Sequence, residues 1–163
     1  MNSKTPPQAP TRIGRRGLLA AAVASLALPR LLNAAPAPPV VDVWKSPTCG
    51  CCRDWVTHLQ AHGFQVRVHD IGNTAARARL KIPLALGSCH TASVGRYAIE
   101  GHVPARDVQR LLRERPDAIG LAVPGMPVGS PGMDGPEYGS QRDPYDVLLV
   151  ARDGSTRVFT SYR

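Results

Sequence analysis

Aromatic residues are scarce in this 163-residue sequence: Phe, Trp and Tyr together make up 5% of it, so a core must be built from aliphatic side chains. Acidic residues are also few, 12 against 20 Lys and Arg, which leaves a formal charge of +8. Such a balance suggests nucleic acid until its distribution is followed. Lys4, Arg12, Arg15, Arg16 and Arg30 put +5 into residues 1–35, where there is no acid, and residues 36–163 carry only +3. No basic run interleaved with aromatics remains to track a phosphate backbone, so nucleic acid is not an expected partner. Long hydrophobic runs are missing too. The apolar stretch from Leu18 to Leu28 has 11 residues, too few to span a bilayer, and no permanent membrane anchor is expected. There is no phosphate loop, dinucleotide fingerprint or nucleophile elbow, which removes the commonest nucleotide-binding and hydrolase classes. The length fits one domain.

The basic N-terminal part has its own logic. Gly14-Arg15-Arg16-Gly17-Leu18-Leu19 leads into the apolar stretch, which ends at Pro29. A positive start, a short apolar middle and small residues after it describe a bacterial export signal. The paired arginines resemble a twin-arginine signal; an ordinary secretory signal is the alternative. No Cys follows the apolar run, so a lipoprotein anchor has no support. The expected organisation is an export signal over residues 1–35 and one periplasmic domain over residues 36–163.

Within that domain, Val40-Val41-Asp42-Val43-Trp44 reads as a strand. Cys51 to His62 places Trp55, Val56 and Leu59 at helical spacing and stops at Gly63. Phe64, Val66 and Val68 alternate with polar residues, as in a half-buried strand. Asn73 is placed to cap a short helix through Leu80. Pro104 opens another helix, with Val108, Leu111 and Leu112 on one face, ended by Pro116. Val123 to Pro136 is a Gly/Pro-rich loop. Val147 to Val150 and Thr156 to Thr160 flank Arg152-Asp153-Gly154, a hairpin signal. A strand turning into a helix, with cysteines at the junction, is the context of a thioredoxin-like domain. The fold class expected is therefore α/β: a thioredoxin-like mixed sheet with flanking helices and a C-terminal β-hairpin.

Only four cysteines occur, and three fall within four positions, Cys49-Gly50-Cys51-Cys52; the fourth is Cys89, beside His90. At a helix start the free amides and the dipole favour thiolate, and Lys45 and Arg53 are nearby cations. A redox dithiol needs only Cys49 and Cys52. The third thiol, Cys51, points instead to a soft ion, above all Cu(I), with Zn(II) also compatible. Adjacent Cys51 and Cys52 do not readily wrap one ion, so thiolates bridging more than one Cu(I) are expected. The alternatives are thiol redox chemistry at Cys49 and Cys52, and structural disulfides such as Cys49–Cys52 with Cys51–Cys89.

Further soft donors are few. Met126 and Met133 both lie in the Gly/Pro loop, where helical or strand packing does not explain them, and a thioether suits Cu(I). His90 and His102 are the candidate imidazoles. His58, His62 and His69 have no soft neighbours and read as surface or packing residues. The loop is expected to enter the closing hairpin opposite the cysteine-bearing turn, with Pro124 or Pro127 as a cis proline there and Met126 or Met133 facing the thiolates.

Four blocks taken together, Cys49-Gly50-Cys51-Cys52, Ser88-Cys89-His90-Thr91, Gly101-His102-Val103-Pro104 and Gly120 to Met133, resemble the CopG-type periplasmic copper-resistance family. The resemblance runs over about residues 40–163. It implies a thioredoxin-like fold, a periplasmic location, copper held by the cysteines and a role in copper tolerance, with redox handling of the metal as one form of it. Periplasmic copper carriers or exporters are then the expected partners. A thiol–disulfide oxidoreductase using Cys49 and Cys52 is the competing function.

Overall fold

The β-branched run at Val40–Lys45 forms strand β1, with Val41 and Val43 fully buried on one face. The computed structural model describes residue 1 and residues 37–163, so the expected export signal, apart from Met1, lies outside the described residues. After β1 the chain turns into helix α1 (Gly50–Ala61), which buries Cys52, Trp55, Val56 and Leu59 along one stripe. Gly63, at φ +84°, ends it as expected. Strand β2 (Gln65–His69) pairs parallel to β1. It lies at the edge of the sheet and Val68 is exposed, so the expected half-buried alternation stops at Phe64 and Val66.

Helix α2 (Thr74–Arg79) is where Asn73 predicts it, but the Asn73 side chain makes no cap. Its amide donates instead to the Ser88 carbonyl and to Thr91 Oγ1. Two strands then fill the middle of the sheet, β3 (His90–Val94) and β4 (Tyr97–Glu100). Helix α3 (Ala105–Glu114) buries Val108 and Leu111 and stops at Arg115, in a left-handed conformation before Pro116. Strand β5 (Gly120–Ala122), the Gly/Pro-rich segment, and the hairpin of β6 (Tyr145–Val150) and β7 (Thr156–Tyr162) complete the domain.

The sheet has seven strands in the order β2-β1-β3-β4-β5-β6-β7, parallel at β1–β2 and β4–β5 and antiparallel elsewhere. The expected mixed sheet, flanking helices and C-terminal hairpin are all present. The place of the hairpin is not as expected. β6 and β7 form the far edge, and the hairpin beside β1 is β3–β4. The segment that enters it is Ser88-Cys89, not the methionine loop. There is no cis peptide among the described residues, so neither Pro124 nor Pro127 plays the part foreseen for it.

Register explains why the segments that carry the expected donors meet. Lys45 of β1 pairs with His90 of β3, Thr91 with Glu100 of β4, and Glu100 with Ala122 of β5. The end of β1, the start of β3 and the ends of β4 and β5 therefore lie together at one end of the strands. The cysteine turn, Cys89, His102 and the methionine loop all leave from it. Trp55, wholly buried, ties α1 to the segment after β4 by donating its indole N–H to the Val103 carbonyl at 2.9 Å. No helix among the described residues is long and apolar enough to cross a membrane.

Candidate metal centre

Cys49 is the N-cap of α1, in extended conformation, and Cys51 and Cys52 lie in the first turn, which holds no acidic residue. The unpaired amides and the positive end of the helix dipole there favour bound negative charge, thiolate included. Cys49 and Cys52 are joined by a disulfide, while Cys51 and Cys89 are free thiols. The Cys51 sulfur lies 3.5 Å from that of Cys49 and 3.9 Å from that of Cys89. One of the two pairings considered from sequence is thus formed, and the other pair stays open. Lys45 is buried and pairs with Asp70 at 2.6 Å; Arg53 is exposed.

Cys89 also belongs to a second group. Its sulfur is 3.1 Å from His102 Nε2 and 3.4 Å from His90 Nδ1. Within the set of four cysteines, and within the set Cys89, His90 and His102, donor atoms all lie within 4.8 Å of one another. The two sets share one sulfur, that of Cys89. His102 Nδ1 lies 2.8 Å from the Pro131 carbonyl, which can only accept, so the proton sits on Nδ1 and the Nε2 lone pair faces Cys89. His90 is fully buried, and its Nε2 is the one buried side-chain nitrogen or oxygen without a partner among the described residues.

Burial sets the protonation of this group. It pushes the Cys89 thiol up to about 12, with the neighbouring Cys51 acting the same way. It holds His90 well below the usual imidazole range, helped by His102, and lowers His102 against the opposing effect of the Pro131 carbonyl. Cys89, His90 and His102 are therefore a neutral thiol and two neutral imidazoles. A metal ion taken up here would have to displace the Cys89 proton, whereas the uncharged rings need lose none.

The methionine loop reaches the centre mainly by its backbone. Gly132 has φ +86°, and a Cβ there would come within 2.5 Å of the Cys51 carbonyl oxygen and 2.8 Å of the Trp55 nitrogen. Only glycine lets this loop lie on the first turn of α1 while Pro131 reaches His102. Met133, next in the chain, accepts a hydrogen bond at sulfur from the Tyr138 hydroxyl at 3.4 Å, and Met126 is half exposed. Of the expected donors, the structure brings together Cys49, Cys51, Cys52, Cys89, His90 and His102. It sets Met133 beside Gly132, and Met126 beside Gly125, whose carbonyl accepts from Ser88 Oγ.

Sequence reasoning missed two participants. The Pro131 carbonyl is main chain and leaves no side-chain signal. Glu100, fully buried, accepts hydrogen bonds from Ser88 and Thr91 on either side of Cys89-His90. Of the histidines set aside from sequence, His58 Nε2 accepts the Ala105 amide at the start of α3, and His69 pairs with Asp42.

Residues 86–133 match a family model described as a protein of unknown function, DUF411. That span holds Cys89, His90, His102 and the methionine loop. Two solved structures titled "Copper resistance protein copG", Form 2 and Form 1, are 45% and 46% identical to this chain. Each superimposes with a TM-score of 0.71 over 77% of this chain, covering 99% and 98% of the respective relatives. No curated protein matches the chain.

Proposed function

The chain belongs to the family of copper resistance protein CopG, and from that premise we propose that it is an exported protein that holds copper as Cu(I) for copper homeostasis or resistance. The observation that carries this reading is the convergence of four cysteine sulfurs at a helix start, with His102 Nε2 facing the shared Cys89. Thiolate with neutral imidazole is a soft set that suits Cu(I) better than a hard ion. Two donor groups meeting at one sulfur favour more than one ion, with Cys89 as bridge. Met126 and Met133 are supplementary donors in this reading. Periplasmic carriers or exporters receive or deliver the metal. The strand order β2-β1-β3-β4, with α1 between the parallel pair, supports reading the first half of the domain as thioredoxin-like.

Reduced full-length protein, loaded with Cu(I) without oxygen and then desalted, should retain more than one copper per chain and prefer it to zinc. Cys51→Ser should lower the count with the fold intact. A wild-type protein that retains no copper would sink this reading. Export is tested separately: with Arg15 and Arg16 both replaced by Lys, the precursor should stay in the cytoplasm, and normal periplasmic accumulation would favour the ordinary secretory route.

The Cys49–Cys52 disulfide favours a second reading, a thiol–disulfide oxidoreductase, with Cys49 as attacking thiolate and Cys52 as the buried resolving thiol. The same pair offers a copper redox step. Two thiols become one disulfide, two Cu(II) become two Cu(I), and two protons are released. The readings separate on the free pair. Copper handling needs Cys51 and Cys89, whereas disulfide exchange survives Ser at both.

A further inference from the structure

Glu100 is fully buried, and its carboxylate is not left unpaired. Arg77, from α2, donates to it from Nε at 2.9 Å, with Nη2 at 2.8 Å. The same carboxylate accepts the Ser88 amide at 2.7 Å on Oε1 and the Thr91 hydroxyl at 2.6 Å on Oε2. Arg77 Nη2 also donates to the Ser88 carbonyl at 2.5 Å, and Asn73 does so at 3.1 Å. Both main-chain groups of Ser88 are thereby held by one ion pair.

A buried ion pair is a poor source of stability, because desolvation offsets most of the attraction; its clearer use is to fix register. Here register has an object. Ser88 and Thr91 bracket Cys89-His90, and Glu100 itself is two residues before His102. One carboxylate therefore sets the distance between the segment that carries Cys89 and the segment that carries His102. The Gly101 amide completes the link by donating to the His90 carbonyl at 3.0 Å. An aliphatic side chain at position 100 would fill the space without tying the two segments together.

We infer that Glu100 and Arg77 form a positioning clamp that fixes the Cys89 sulfur opposite His102 Nε2 and so tunes the affinity of the centre for a soft metal. The metal part of this inference rests on the copper reading above; the geometric part does not. Neither residue touches the metal donors. They act through the backbone of Ser88 and the hydroxyl of Thr91.

The test uses full-length Arg77→Lys, which keeps the charge but cannot bind Glu100 and the Ser88 carbonyl as a fork, and Glu100→Gln. Asp107→Asn is the control: Asp107 is nearly as buried and bonded to Thr160 and Tyr162 on α3's side of the sheet. Two readouts are taken. In metal-free protein with the Cys49–Cys52 disulfide formed, iodoacetamide labelling of Cys89 is measured by mass spectrometry relative to Cys51 in the same molecule. In reduced protein, Cu(I) affinity is measured by competition with a chromophoric chelator. Arg77→Lys should raise the Cys89-to-Cys51 labelling ratio at least fivefold and weaken Cu(I) binding at least tenfold, with Asp107→Asn unchanged in both after a comparable loss of thermal stability. An unchanged labelling ratio in Arg77→Lys overturns the clamp, whether or not Glu100→Gln folds. A changed ratio with wild-type Cu(I) affinity overturns its role in metal binding, as does an equal effect of Asp107→Asn. A wild-type protein that binds no Cu(I) defeats the copper reading, and the labelling ratio still decides the clamp.

Discussion

His102 Nε2 lies 3.1 Å from the Cys89 sulfur, with the ring held from behind by the Pro131 carbonyl. This arrangement fixes the tautomer before any metal arrives, so the lone pair is already presented to the shared sulfur. His102→Gln should cost at least about tenfold in Cu(I) affinity, in line with the loss of a pre-oriented donor. Chelator competition on the reduced protein measures it. An affinity equal to wild type would remove His102 from the ligand set and leave the cysteines as the centre.

The approach of Gly132 to α1 gives a second prediction. Alanine at this position meets the Cys51 carbonyl and must also adopt φ +86°. Gly132→Ala should destabilise the fold by about 1–3 kcal/mol and weaken copper binding, because the loop that carries Pro131 has to lift from the helix. Chemical denaturation and metal retention measure the two effects. A variant as stable as wild type would show that the loop docks without this close contact.

Which of these features the sequence could disclose follows from their range. The cysteine turn is local, and its spacing at the end of a β-branched strand marks both its position and its soft-metal chemistry. The terminal hairpin is local as well, announced by Asp153-Gly154. Its place in the sheet is not, because turn chemistry pairs neighbours but does not order distant strands. β3 and β4 escaped notice for a different reason. His90 to Val94 and Tyr97 to Glu100 are buried on both faces, so the polar–apolar alternation that betrays a strand is lost. His90 could be suspected from its neighbour Cys89, and His102 from its place just before a helix. The Pro131 carbonyl and the Glu100–Arg77 pair depend on contacts across 29 and 23 residues of chain, which no local pattern records.

Met133 and Met126 now separate. Met133 follows the glycine that touches the Cys51 carbonyl, and its sulfur is occupied by the Tyr138 hydroxyl. Met126 is half exposed. Leucine keeps the volume of either side chain and removes most of its donor strength. Met133→Leu should weaken Cu(I) binding several-fold, whereas Met126→Leu should change it less and alter stability by under about 0.5 kcal/mol. Tyr138→Phe frees the Met133 thioether and should tighten binding. Unchanged copper affinity in the double Leu variant would make both methionines packing residues.

The last prediction concerns acid stability and rests on His58. Its Nε2 accepts the Ala105 amide at 3.1 Å, satisfying one of the orphan donors at the start of α3. That bond requires a neutral nitrogen. Burial lowers the His58 pKa, and His62 beside it acts in the same direction, with Asp134 opposing. The folded state thus resists a proton that the unfolded chain takes up near the ordinary imidazole value of about 6.5. Because the unfolded state then binds more protons, stability rises with pH through this window and falls as the pH drops below about 6.5. His90 and His102 are lowered too and add to the same slope in the metal-free protein. His58→Gln retains an acceptor that does not titrate, so it should flatten the decline between pH 7 and pH 5 relative to wild type. His58→Ala should lose about 1 kcal/mol at neutral pH through the uncapped amide. Denaturant titrations of metal-free protein across this range measure both, and a Gln variant with the full wild-type slope would place the acid sensitivity entirely elsewhere.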